Sequence, residues 1–119
     1  MSTQRLDPVL LGEHEHDGAW TLMLQVPVDL AYFSGHFPHA PVLPGVVQVA
    51  WALAFAAPRL GTPAHCRVME ALKFQRLLRP GDSVTLTLGY DALRHKLHFA
   101  YRLGDIACSS GRLAWSAEP

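Results

Sequence analysis

The chain has 119 residues, half of them hydrophobic, which supplies one apolar core and leaves too little length for a second domain. Lys plus Arg and Asp plus Glu number ten each, so the chain has no net bias toward nucleic acid or an anionic membrane, and a charged partner must meet a local patch. The longest apolar run, Val46 to Pro58, contains Gln48 and is too short to cross a bilayer; Met1 to Leu6 has no apolar signal core, so a soluble, cytoplasmic protein is expected.

The first segment, Ser2 to Gly18, is a polar lead with one apolar cluster, Val9-Leu10-Leu11. Glu13-His14-Glu15-His16-Asp17 invites a metal reading, but no anchoring ligand stands elsewhere, and alternating polar residues before Gly18 read better as a solvated strand end or turn. No metal site is expected. Trp20, Leu22, Leu24 and Val26 then alternate with polar positions and predict a first strand over Ala19 to Val28. Pro27 ends its pairing, and Asp29 to Phe33 reads as a short turn or one-turn helix.

Pro38, Pro41 and Pro44 recur at every third position, so His36 to Pro44 cannot be helical and must form an ordered loop. The loop holds His36 in a stiff frame. Pro44 opens a helix where a missing N–H costs nothing, and Gly45 leaves the first turn bare enough for a ligand to approach the backbone. From Pro44 to Ala57 the only polar side chain is Gln48, which predicts a helix buried on every side, kept thin by Ala50, Ala52, Ala54, Ala56 and Ala57 and stopped by Pro58.

Strands with turn punctuation follow: Cys66 to Leu78, the turn Arg79-Pro80-Gly81-Asp82, Ser83 to Tyr90, Leu93 to Leu103, the turn Gly104-Asp105, and Ile106 to Trp115. Strand, buried helix, then four strands argues for an α+β fold, one antiparallel sheet curled round a central helix, in a single domain over residues 1–119. Cys66 and Cys108 have no second cysteine nearby and read as buried reduced thiols. His39, His65, His95 and His98 read as surface or turn histidines.

Gly35-His36-Phe37-Pro38, Pro41-Val42-Leu43-Pro44-Gly45-Val46, Lys73-Phe74-Gln75-Arg76 and Arg79-Pro80-Gly81-Asp82 together resemble the hotdog-fold 3-hydroxyacyl-[acyl carrier protein] dehydratases of the FabZ/FabA type. Pro44-Gly45-Val46-Val47-Gln48 and Trp51 look most like the small dehydratases of aryl polyene pigment pathways. The resemblance implies dehydration of a 3-hydroxyacyl thioester to the trans-2-enoyl thioester. His36 would be the base that removes the α-proton, a task suited to an imidazole held neutral under Phe33 and Phe37. The N–H groups of Gly45 and Val46 would stabilise the charge on the thioester oxygen.

It further implies an acyl tunnel lined by Phe33, Phe37, Pro38, Val42, Leu43 and Trp51. Phe55 reads as core or tunnel. No cofactor is implied beyond the phosphopantetheine of acyl carrier protein, which would dock on Lys73, Arg76 and Arg79. A homodimer or a heterodimer with a related subunit is implied, and the apolar strand around Met69 to Phe74 would pair with its counterpart.

The chain departs from the family at the acid. The helix carboxylate, Glu in fatty-acid dehydratases and Asp in the pigment enzymes, falls fourteen residues after the histidine, where this chain has Ala50. A methyl group donates no proton. Gln48 is no acid and points elsewhere on a helix, and Glu70 and Asp29 have no fixed place in space on sequence alone. Three explanations stay open: a variant of altered activity, a subunit completed by a different partner, or a substituted protein. The alternatives to dehydration are a hotdog acyl thioesterase and a non-catalytic acyl-binding subunit, which Ala50 supports directly.

Overall fold

The computed structural model describes residues 6–30 and 41–116. Six strands, β1 (Val9–His16), β2 (Ala19–Gln25), β3 (Val68–Phe74), β4 (Ser83–Asp91), β5 (Lys96–Leu103) and β6 (Ile106–Ala114), surround one helix, α1 (Gly45–Leu60). They form one fully antiparallel sheet in the order β1-β2-β4-β5-β6-β3.

Period-two alternation puts one face of every central strand on the helix. Leu22 pairs with Leu86, Leu86 with Tyr101, Leu88 with Phe99, and Leu97 with Leu113, so each cross-strand row carries apolar groups through the sheet. These side chains are buried together with Val47, Trp51, Ala52, Leu53 and Ala56 of α1. The opposite face carries Thr21, Thr87, Ala100 and Ser110 on successive partners.

Four expectations are corrected. Residues 9–16, read as a polar lead with a strand end or turn, are a complete edge strand. Asp17 and Gly18, both at positive φ (51° and 83°), close its hairpin onto β2. An edge strand exposed on both faces needs no apolar alternation, which hid it. The strand expected over Cys66 to Leu78 is confined to Val68–Phe74. The helix runs through Pro58 to Leu60 and ends at Gly61, whose φ of 72° lets its N–H reach the Ala57 carbonyl at 3.0 Å.

Nor is the helix buried on every side. Val46, Ala50, Ala54 and Pro58, four residues apart, form an exposed stripe along it, with Val46 72 % exposed. Pro58 is tolerated because the Ala54 carbonyl it deprives of a donor belongs to this solvent-facing stripe. The helix is neither long nor apolar enough to cross a membrane.

β3 carries a bulge. Glu70 pairs with Arg112 and Lys73 with Ser110, so three residues of β3 advance over two of β6, and Ala71 takes φ +51°. Arg112 and Ser110 share the outer face, so Glu70 and Lys73 share it too. The extra residue thereby turns Leu72 and Phe74 to the helix side. Leu72 fills the space beside Gly111, where an added Cβ would lie 2.5 Å from its Cδ2.

Candidate active site

The site starts where the non-helical residues Pro41 to Pro44 lead into α1. Pro44 stands at the N-cap with φ −60° and ψ 147°, and no side chain caps the helix. Its carbonyl accepts from Val47 N at 3.1 Å and Gln48 N at 3.2 Å. Helix geometry leaves the N–H groups of Gly45 and Val46 without intrahelical acceptors, and the first turn has no acidic residue to take them. Those amides and the helix dipole favour negative charge at this end.

The lead-in is held from two sides. Leu43 N donates to the Leu78 carbonyl at 2.8 Å, and the Leu43 carbonyl accepts from Gln48 Nε2 at 3.2 Å. Gln48 Oε1 in turn accepts from Ser109 Oγ at 2.6 Å, and the Gln48 carbonyl from the Tyr101 hydroxyl at 2.6 Å. Full burial pushes the Tyr101 phenol far above its ordinary value, so it stays a donor. Sequence reasoning dismissed Gln48 as a non-acid; one polar residue in an otherwise apolar helix stretch was the available sign of such a role.

A cavity of about 460 Å³ opens between this helix end and β3, lined by Val42, Leu43, Gly45, Val46, Met69 and Phe74 among others. Phe74 lies directly on Gly45, where a Cβ would come within 2.8 Å of the ring. Only glycine leaves that space. Gln75 and Arg76 border this cavity and also a neighbouring one of about 630 Å³ that contains Arg79 and Asp82. Asp82 Oδ2 accepts from Arg79 N at 2.8 Å and holds the turn.

Not every expected residue joins the site. Val42, Leu43, Gly45 and Val46 line the cavity, whereas His36, Phe33, Phe37, Pro38 and also His39 lie outside the described residues. Trp51, expected in the tunnel, is not among the cavity's lining residues; it is 4 % exposed and its Nε1 donates to the Leu6 carbonyl at 3.1 Å, a core role. Phe55 packs against Arg59, whose guanidinium lies 5.3 Å from its ring. Ala50 sits on the exposed stripe and does not line the cavity. Lys73 parts from Arg76 and Arg79: the β3 bulge puts it on the outer face of the sheet beside His98 and Arg112, at a shallow depression.

The other charged candidates have structural places. Glu70 lies on the outer face, 2.7 Å from Lys96 Nζ, and this cation holds its carboxyl below the usual range. Glu13 makes a two-pronged pair with Arg59 (Nε to Oε1 3.0 Å, Nη2 to Oε2 2.8 Å), which likewise lowers its pKa and ties β1 to the helix end. Among the described residues no three His, Cys, Asp or Glu side chains gather as metal ligands. His95 Nδ1 meets the Tyr90 hydroxyl at 3.1 Å in the β4–β5 turn, and the His65 carbonyl accepts from Trp115 Nε1. Cys66 and Cys108 are free thiols, each pushed up by burial.

Residues 12–112 match the ApeI-like family model, described as ApeI dehydratase. The chain is 35 % identical over 99 residues to the 3-hydroxyacyl-[acyl-carrier-protein] dehydratase FabZ of Oenococcus oeni, an alignment covering 74 % of this chain and 71 % of that one. The structure of the dehydratase heterocomplex ApeI:P from Xenorhabdus doucetiae superposes with a TM-score of 0.82 at 29 % identity, covering 91 % of this chain and 96 % of the other. An uncharacterized protein from Erwinia carotovora subsp. atroseptica superposes with a TM-score of 0.77 at 36 % identity, covering 90 % and 94 %. The six-stranded antiparallel sheet and its helix are thus a hotdog fold.

Proposed function

Because this chain belongs to the ApeI-like dehydratases, a family of lyases akin to FabZ, we propose that it dehydrates a 3-hydroxyacyl thioester on acyl carrier protein as one subunit of a dimer whose other helix supplies the acid. The observation that carries this reading is Ala50. It stands at the acid position, without a proton to give, on a helix stripe turned away from its own cavity and open to a second subunit. The heterocomplex formed by the similar Xenorhabdus protein supports a non-identical partner.

In the proposed reaction His36 takes the α-proton while the Gly45 and Val46 amides stabilise the enolate oxygen at the bare helix end. The C–O bond at the β-carbon then breaks, and the partner's acid protonates the leaving hydroxyl to give water and the trans-2-enoyl thioester. No cofactor is needed beyond the carrier's phosphopantetheine arm. The apolar cavity beside Val42, Met69 and Phe74 suits an acyl chain, and the resemblance of Pro44 to Gln48 and Trp51 to the aryl polyene dehydratases favours an aryl polyene acyl group. Arg76 and Arg79 are proposed to attract the acidic carrier; Lys73, on the outer face, is a more distant member of that patch.

Mass spectrometry of the carrier-bound product tests the reading. The chain alone is expected to form little enoyl product. Ala50→Asp or Ala50→Glu should raise it about a hundredfold, the usual contribution of a general acid. No gain in a folded variant overturns the reading; bound, unchanged substrate with both proteins then favours an acyl-binding subunit, and free acid a thioesterase.

A further inference from the structure

Gln48 is 3 % exposed in a core that is otherwise almost entirely apolar, and both ends of its amide are bonded, to Ser109 of β6 and to the Leu43 carbonyl. A leucine would fill a similar volume without the cost of burying an amide. With Tyr101 of β5 bonded to its backbone carbonyl, this one residue joins the helix's first turn, its lead-in and two central strands. The bond to Leu43 acts two residues before Gly45, across Pro44, whose fixed φ transmits a displacement instead of absorbing it.

We propose that Gln48 is a positioning residue for the reaction: with Ser109 and Tyr101 it sets the Gly45 and Val46 amides at fixed height and angle against the sheet, so that they meet the thioester oxygen as its charge develops. The inference rests on the proposed role of those amides as oxyanion donors. Such donors act only when aligned in advance, and small misplacements are costly to the rate. Although Gln48 borders the cavity, its amide oxygen and nitrogen are both engaged within the protein, so it works through the backbone.

Exchange of the substrate α-proton in heavy water measures this step without the missing acid. The full chain, His36→Ala, Gln48→Leu and Ser109→Ala would be compared on a 3-hydroxyacyl pantetheine thioester, with thermal melting alongside. We expect Gln48→Leu to lower the saturated exchange rate about tenfold or more while the half-saturating concentration stays within roughly threefold, and Ser109→Ala to shift the rate in the same direction by less. A folded Gln48→Leu protein that melts earlier but exchanges at the parent rate overturns the inference, because Gln48 is then only structural. Should Gln48→Leu fail to fold, the saturated rate of Ser109→Ala decides by the same criterion. A parent that exchanges, loses exchange in His36→Ala and keeps it in Gln48→Leu sinks this inference alone; a parent without exchange overturns the site reading and this inference with it.

Discussion

In the proposed reaction, Ala50 would separate two steps. In the proposed dehydration, removal of the α-proton needs a base and an oxyanion site, whereas departure of the hydroxyl needs an acid, which an alanine at position 50 would not supply. The two half-reactions are therefore separable here. Deuterium should enter the α-carbon in heavy water even where no enoyl product forms, and should vanish in His36→Ala with the fold intact. Exchange that persists undiminished in the mutant would remove His36 from the mechanism.

At the scale of elements, the site is shaped by a defect in β3. The bulge at Ala71 moves Leu72 and Phe74 to the helix side and leaves Lys73 outside, so one residue with φ +51° exchanges a charged wall for an apolar one. Gly111 makes room for that arrangement, since a Cβ there would lie 2.5 Å from Leu72 and 2.9 Å from the Phe99 ring. Gly111→Ala should destabilise the protein by about 1–3 kcal/mol through overpacking, read as a lowered urea midpoint. An unchanged midpoint would mean that β3 is free to slide.

The tie between β1 and α1 predicts a pH dependence. Arg59 lowers the folded pKa of Glu13, so the pair stabilises the protein above the unfolded value of 4.5 and that contribution is lost as pH falls through the lower folded value. Glu13→Gln should therefore flatten the stability profile below about pH 4.5, measured by melting temperature against pH. Identical profiles in the two proteins would show that the pair contributes nothing measurable.

For the whole molecule, the sheet ends in two unequal edges. β1 combines exposed Leu10 and Leu11 with a polar half, Glu13 to His16. β3 presents Met69, Phe74 and, just beyond it, Leu77, each about half exposed, next to the open stripe of α1. An apolar edge of this kind is protected by another chain. We predict a dimer in which β3 pairs with the corresponding strand of a second subunit. Phe74→Asp should shift the mass seen by light scattering toward the monomer at micromolar concentration, and a parent already monomeric there with its fold intact would sink the prediction.

The sequence by itself determined what depends on neighbours along the chain. Alternation at Trp20, Leu22 and Leu24 and at Val84, Leu86 and Leu88 declared strands, and the apolar run after Pro44, interrupted only by Gln48, declared a central helix. Alanine at position 50 is plain in the sequence, while its standing as the acid position comes from the family resemblance alone. Tertiary structure decided what depends on partners far apart in the chain. The polar edge strand β1 exists through its pairing with β2, which the mixture of Glu and His concealed. Pro58 stays helical because solvent reaches its turn, Lys73 is outside because of a one-residue bulge in the pairing of β3 with β6, and Trp51 belongs to the core because its indole finds Leu6. Gln48 shows the difference most sharply: its type marked it as an oddity, but only the approach of Ser109 and Tyr101, 61 and 53 positions away, turns it into the bolt of the helix end. Local periodicity is written in short-range sterics, whereas hydrogen-bond partners and exposure are set by the packing of the whole sheet.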